Sequence, residues 1–273
     1  MANMITQLNP WVSLCVMRVQ DGTSGGGTRT ISARGAAMAI RSAIGRKVDI
    51  ISLSWTILAK GRTSRPHADG PQRPVNKDIE ELGKAIDEAV KARILIFCSA
   101  SDDIETSALD TLPYQQAPDY IFRIGAASRH GQRDPSSEDA QRINFYFPGN
   151  MVEEAVDPTT STQARLHTGA SVSTALATGL ASLIIYCAVI VRNHHESEGL
   201  VSSEFARKAD GLKERDQLDA AFKSITFPGW QDAKFLPIWD FFRSTSSRIN
   251  TESGKAKFKA LSELVRKVSK NIF

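Results

Sequence analysis

Apolar and polar positions in the first half of the chain follow two alternating periods, those of buried strands and of helices. Apolar positions recur every three or four residues over 31–47 and 78–92, which predicts two helices. Continuous apolar runs predict four buried strands, at 11–19, 48–55, 93–100 and 120–127. A stretch rich in glycine and proline predicts a long surface loop over 57–76. Strands that alternate with helices predict an α/β fold, a mainly parallel, doubly wound sheet between two helical layers.

The longest stretch without a charged residue covers residues 172–191. Its length would allow it to cross a membrane. Its first half consists mainly of Ser, Thr, Ala and Gly, a composition that also suits a helix packed closely inside an α/β domain. Of these two interpretations we adopt the buried helix, and we expect no membrane contact through this segment.

The character of the chain changes after residue 191, which predicts a domain over 1–191 and a linker with a helical extension over 192–273. A polar linker is expected over 193–214, and an apolar, aromatic segment near 235–242 could dock on the domain. The segment 255–272 spaces apolar residues three and four apart among six basic residues and one acid, which predicts an amphipathic basic helix. Such a helix either caps the domain with a solvated face or docks on a partner or an anionic membrane.

Charge and cysteine content narrow the class of protein. The formal net charge of +4 on 273 residues is too small to imply nucleic acid, and we expect no nucleic-acid partner. Cys15, Cys98 and Cys187 each lie in an apolar run, which predicts buried thiols in a reducing compartment. Residues 1–7 carry no secretory signal pattern, so a cytoplasmic location is expected. His194 and His195 indicate a solvated helix end, and no metal or cofactor is predicted.

The candidate chemistry lies in residues 166–179, LHTGASVSTALATG. A tight turn delivers Ser171 to the first turn of the long apolar helix. The positive end of the helix dipole there favours a nucleophile and its developing oxyanion. Serines also begin helices without any catalytic role, so this motif alone leaves both interpretations open.

The run Gly-Ala-Ser-Val-Ser-Thr-Ala at 169–175 resembles the nucleophile motif of subtilisin-like serine peptidases. Most of 1–191 shares that resemblance, in the family's order. Residues 1–5 are similar to the helix after the catalytic His-Gly-Thr turn, 14–19 to the next strand, and Phe-Pro-Gly at 147–149 to the family's Ala-Pro-Gly turn. The resemblance implies an endopeptidase that acts on polypeptides, with Ser171 as nucleophile. It also implies that Ser54, Trp55 and Thr56 line an extended substrate.

Three departures from the family pattern bear on activity. Asp102 stands where the family usually has an oxyanion-stabilising Asn, and an ionised carboxylate there would repel the oxyanion. It could help only if protonated or if backbone N–H groups act instead, and an acidic loop end without a role is the alternative. No Asp-Ser/Thr-Gly or His-Gly-Thr motif precedes Ser171. His167, four residues upstream, is poorly placed to act as the base.

Without a base, a serine hydroxyl is a poor nucleophile at neutral pH, so we expect the 273 residues to be inactive or nearly so. Two explanations compete. One is an incomplete peptidase whose Asp and His segments are missing, which the retention of Ser171 favours. The other is a pseudopeptidase, a non-catalytic module that binds extended peptides or a partner domain, which Asp102 favours.

Overall fold

The computed structural model describes residues 1–19, 21–23, 29–59, 76–100, 111–134, 142–154, 165–199, 209–226 and 234–269. Its helices are α1 (Ala2–Leu8), α2 (Ala33–Gly45), α3 (Lys77–Lys91), α4 (Ala170–Ser197), α5 (Arg215–Ile225), α6 (Ile238–Thr251) and α7 (Lys255–Val268). Its strands are β1 (Asp21–Thr23), β2 (Arg29–Ile31), β3 (Ile50–Leu53), β4 (Ile57–Leu58), β5 (Leu95–Ser99), β6 (Thr111–Leu112), β7 (Phe122–Ala127), β8 (Phe145–Pro148), β9 (Val152–Glu154) and β10 (Arg165–His167).

A parallel sheet in the order β3-β5-β7-β8 forms the middle layer. Side chains of β5 alternate between two cores: Leu95 and Phe97 join the core around α4, whereas Ile96 and Cys98 join the core around α2 and α3. Because helices cover both faces, every residue of β5 is buried, which is why its sequence is continuously apolar. The α/β fold with a parallel sheet between helical layers is therefore confirmed.

The predicted helices at 31–47 and 78–92 are confirmed as α2 and α3. Each begins at a polar cap: Ser32 accepts a hydrogen bond from the amide of Gly35, and Asn76 accepts one from the amide of Asp78. The runs at 48–55, 93–100 and 120–127 form β3, β5 and β7. Strand β4 begins the predicted 57–76 loop, and residues 60–75 lie outside the described residues.

The predicted strand at 11–19 is wrong. Residues 12–19 join no sheet, and the side chains of Leu14 and Val16 are 39% and 78% exposed. Cys15 in this segment is also exposed, so the expectation of three buried thiols is wrong for this one. An apolar run becomes a strand only where a neighbouring strand can pair with it, and no described strand pairs with this segment.

The apolar segment 172–191 forms the buried part of α4, as predicted. Among the described helices, α4 alone is long and apolar enough to cross a membrane, and most of its apolar part is packed inside the protein. The helix continues to Ser197 and so includes the start of the segment predicted as a linker. Arg192 lies 3.8 Å from the carboxylate of Glu196, one turn later, and this pair supports the extension.

The C-terminal helices share the core of the sheet. The buried Phe222 of α5 lies 5.3–6.2 Å, between ring centroids, from four aromatic rings of the sheet, those of Phe97, Phe122, Phe145 and Phe147. The apolar side chains Leu264 and Val265 of α7 join the same core. Helix α7 thus packs as a cap whose lysines face solvent, whereas the docking role of 255–272 and the domain boundary at 191 stay predictions.

Candidate active site

Ser171 lies where α4 begins, next to the carboxyl end of β3. Its Oγ donates a 3.3 Å hydrogen bond to the backbone carbonyl of Ser54. The residues predicted to line the substrate, Ser54, Trp55 and Thr56, are half-buried and lie between β3 and β4. The predicted nucleophile and the predicted substrate-lining segment therefore meet at one edge of the sheet, and their roles stay predictions. Asp102 lies outside the described residues.

The turn before Ser171 has a backbone shape that requires glycine. Gly169 has φ of 130° and ψ of 161°, a conformation that side chains with a Cβ rarely adopt. Its N–H donates a 2.7 Å hydrogen bond to the carbonyl of Gly149, and its own carbonyl accepts from the amide of Val172 at 3.0 Å. The turn is therefore fixed both to the segment after β8 and to the helix that it starts.

Ser173 provides a second attachment for the same turn. Its fully buried hydroxyl lies 3.0 Å from the carbonyl oxygen of Phe147 and 3.1 Å from that of Pro148, so its single proton is shared between these two acceptors. The Phe-Pro-Gly segment at 147–149 is thus the structural support of the turn before Ser171. Sequence analysis recognised this segment but did not assign the contact to Ser173, because a small polar residue inside a helix has no distinctive pattern.

The positive end of the α4 helix dipole favours a negatively charged group beside Ser171. Ser171 is half-buried in the first turn of a 28-residue helix, and that turn contains no acidic residue. Amide groups at a helix N-terminus carry partial positive charge that stabilises an anion nearby. The arrangement can therefore stabilise an oxyanion beside Ser171.

None of the described histidines contacts Ser171. His167 Nε2 lies 2.7 Å from Glu154 Oε2, so its ring is held on the β9–β10 hairpin. His194 and His195 lie more than twenty residues further along α4, roughly 35 Å from Ser171 at 1.5 Å per residue. His130 is exposed next to Arg129.

A contact that sequence analysis missed lies beside this hairpin. Asn3 Nδ2 of α1 donates a 2.5 Å hydrogen bond to Glu154 Oε1, so one carboxylate binds both Asn3 and His167. Asn3 lies 151 residues from Glu154 in sequence, and no local pattern signals that α1 and the hairpin meet. Hydrogen bonds from His167 and then from Asn3 hold the pKa of the Glu154 carboxyl below its ordinary value.

Neither buried thiol offers an alternative nucleophile. Burial raises the pKa of Cys98 to about 12 and that of Cys187 to about 11, so both stay protonated at neutral pH. Within the described part of the chain, no three or more His, Cys, Asp or Glu side chains come together as a metal site. Within the described residues, neither a buried thiol nor a metal cluster therefore competes with Ser171.

The sequence model of the subtilase family matches residues 2–205, well over half of the chain. The chain belongs to the subtilase family. The major intracellular serine protease of Bacillus subtilis (strain 168) is 26% identical over 149 residues, which are 54% of this chain and 40% of that protein. The chain thus spans less than half the length of this curated relative.

Solved structures show the same fold at low sequence identity. A lanthipeptide protease is 14% identical with a TM-score of 0.56, over 96% of this subtilase and 74% of that chain. The prenylagaramide maturation protease PagA is 16% identical with a TM-score of 0.49, over 77% of this chain and 67% of its own. At 14% identity, the likeness to the lanthipeptide protease shows the fold alone.

Proposed function

We propose that this subtilase domain is a serine endopeptidase domain in which Ser171 is the nucleophile. The observation that carries the proposal is the position of the Ser171 hydroxyl, at the start of a buried helix and 3.3 Å from the Ser54 carbonyl. An extended polypeptide paired with residues 54–56 would present its carbonyl carbon to that hydroxyl. Attack by Oγ would form a tetrahedral oxyanion, and the hydroxyl proton would pass to the departing amine as the C–N bond breaks. Water would then hydrolyse the resulting acyl-enzyme ester and return a proton to Ser171 Oγ.

The oxyanion is the second part of the proposal. We assign Asp102 to the position where the family usually has an amide donor. An ionised carboxylate would oppose the negative oxyanion, so the backbone amides at the start of α4 would supply its stabilisation unless Asp102 is protonated. No metal or organic cofactor enters this reaction.

We further propose that the 273 residues by themselves are inactive or nearly so. The described contact of Ser171 is with a backbone carbonyl, which accepts a hydrogen bond but does not take up a proton at neutral pH. His167, the histidine closest to Ser171 in sequence, is instead bound to Glu154. No described histidine contacts Ser171, so an activating Asp and His would have to come from residues other than those that the structure describes.

A pseudopeptidase is the second candidate function, favoured by the same His167–Glu154 contact. In this case the segment 54–56 binds extended peptides or a partner domain, and Ser171 remains unreacted. For either candidate we propose polypeptide partners, a docking role for the basic segment 255–272 and a cytoplasmic location. The likeness to an intracellular protease of Bacillus subtilis supports that location.

Active-site labelling separates the two candidates. The purified chain and its Ser171→Ala variant would be treated with a fluorophosphonate and assayed for peptide hydrolysis, with adducts located by mass spectrometry. The endopeptidase proposal expects a slow, single adduct at Ser171 and hydrolysis no faster than that of the Ser171→Ala variant. Peptide binding without any adduct would support the pseudopeptidase, and hydrolysis well above the variant would overturn the proposed inactivity.

A further inference from the structure

The β9–β10 hairpin leads directly into the nucleophile turn. Its strands pair antiparallel, with Val152 opposite His167 and Glu154 opposite Arg165. Strand β10 ends at His167, and α4 begins at Ala170. Only two residues separate the hairpin from the helix, so a shift of the hairpin would move the start of α4.

The carboxylate of Glu154 joins this hairpin to α1. One oxygen accepts from Asn3 at 2.5 Å and the other lies 2.7 Å from the ring of His167, while only 13% of the side chain is exposed. Arg165 on the neighbouring strand adds positive potential, which also lowers the pKa of Glu154. A second, longer contact runs from Gln7 Nε2 to the Glu153 carbonyl at 3.4 Å.

Helix α1 is itself fixed on α4. Met4 and Ile5 are buried in the core that α4 helps to form. Asn9, just after the helix, donates a 3.1 Å hydrogen bond from Nδ2 to the Ser182 hydroxyl of α4. The chain of contacts therefore runs from α4 through α1 and Glu154 to His167, and from there back to α4 at Ser171.

We propose that Glu154 is a positioning residue that holds the Ser171 turn by binding Asn3 and His167 with one carboxylate. The expected effect of Glu154 on the reactivity of Ser171 rests on the proposed role of Ser171 as nucleophile. The expected effect of Glu154 on the position of the turn does not depend on that role. Displacing a reacting group by about 1 Å can cost a hundredfold in rate, so a modest loosening of the hairpin would be measurable.

Hydrogen exchange and phosphonylation test the proposal together. In Glu154→Ala we expect the Gly169 amide, which donates to the Gly149 carbonyl, to exchange about tenfold faster or more. Fluorophosphonate labelling of Ser171 should slow by about tenfold to a hundredfold. Glu154→Gln keeps an acceptor oxygen for one partner and should be intermediate. Glu153→Ala is the matched control, since this exposed neighbour binds Gln7 through its backbone, and should match the parent chain.

A pH series separates positioning by an ionised carboxylate from general stabilisation. Because the pKa of Glu154 is lowered, protection of the Gly169 amide should fall as the pH drops through that lowered pKa, and the fall should be absent in Glu154→Gln. If Glu154→Ala unfolds, Asn3→Ala removes one of the two partners and should show a smaller loss of protection.

The outcomes distinguish the two proposals. Unchanged Gly169 exchange in folded Glu154→Ala, or in folded Asn3→Ala where Glu154→Ala unfolds, would overturn the positioning role. Faster exchange of the Gly169 amide in Glu154→Ala would support the positioning role of Glu154. If the parent chain is at the same time never labelled at Ser171 by the fluorophosphonate, the proposed nucleophile is rejected while the positioning role stands.

Discussion

A methyl group at residue 149 tests whether the end of β8 supports the turn before Ser171. A Cβ on Gly149 would lie 2.7 Å from the Cβ of Ala126 and 3.0 Å from the carbonyl oxygen of Gly169, and closest of all to the hydroxyl of Ser173. Real Cβ atoms essentially never approach other atoms below 3.0 Å. The first two neighbours cannot rotate away, so either the backbone or Ser173 has to move.

The cost of Gly149→Ala follows from these contacts. Overpacking a well-filled site costs about 1–3 kcal/mol. Rotating the Ser173 hydroxyl away from its two carbonyl acceptors leaves a buried polar group unsatisfied, which costs about 1–3 kcal/mol more. Because the clash needs at least one of these two movements, we expect the free energy of unfolding to fall by about 1–6 kcal/mol, with the upper end reached when both occur, and the Gly169 amide to lose protection.

Denaturant unfolding followed by circular dichroism measures this change. Gly45→Ala is the matched control, because a Cβ at that helical position meets nothing within 4 Å. The control should change stability by about 1 kcal/mol at most, in the stabilising direction. A Gly149→Ala protein as stable as the parent, to within about 0.5 kcal/mol, would refute the packing described for this turn.

Three further changes have expected outcomes. Phe222→Ala should lower the free energy of unfolding by about 3–5 kcal/mol in denaturant titration, since it empties the centre of an aromatic cluster, and a loss below 1 kcal/mol would contradict that placement. Iodoacetamide should modify the exposed Cys15 in the folded protein, whereas the buried Cys98 should react only after unfolding. Equal rates of modification of the two thiols in the folded protein, measured by mass spectrometry, would count against the burial of Cys98. Hydrogen bonds from Arg41 hold the pKa of Glu88 below its ordinary value. This pair therefore stabilises the protein above the ordinary glutamate pKa, and stabilises it less as the pH falls through the lowered pKa. Glu88→Gln should flatten that acid dependence of stability, and an unchanged slope would contradict the pairing.

Elements covered on both faces were predictable from the sequence. Strand β5 is continuously apolar, and α4 carries no charged residue over 172–191, because other elements pack around both, so the lack of exposed polar positions indicated their burial. The segment 11–19 has the same apolar character but lies partly exposed outside the sheet. Strand formation depends on a neighbour that can pair, and the apolar pattern contains no information about that neighbour.

In the candidate site, the residues of one local motif were predictable from the sequence, whereas contacts between distant segments were not. Gly169 and Ser171 belong to one short motif, so the turn and its hydroxyl could be predicted together. The Asn3–Glu154–His167 contact joins segments more than a hundred residues apart, and each residue alone resembles an ordinary surface polar group. Its existence follows from the packing of α1 on α4, which only the folded chain reveals.

The pH dependence of fluorophosphonate labelling at Ser171 tests the central claim, a positioned serine without an activating base, most directly. The rate constant would be measured from pH 5 to pH 9 by intact mass, with Ser171→Ala to identify the adduct. Without a histidine base, the rate should rise steadily with hydroxide, about tenfold per pH unit, and without a plateau. A sigmoidal rise with a midpoint near the ordinary histidine pKa of about 6.5 would contradict the account, as would labelling that survives in Ser171→Ala.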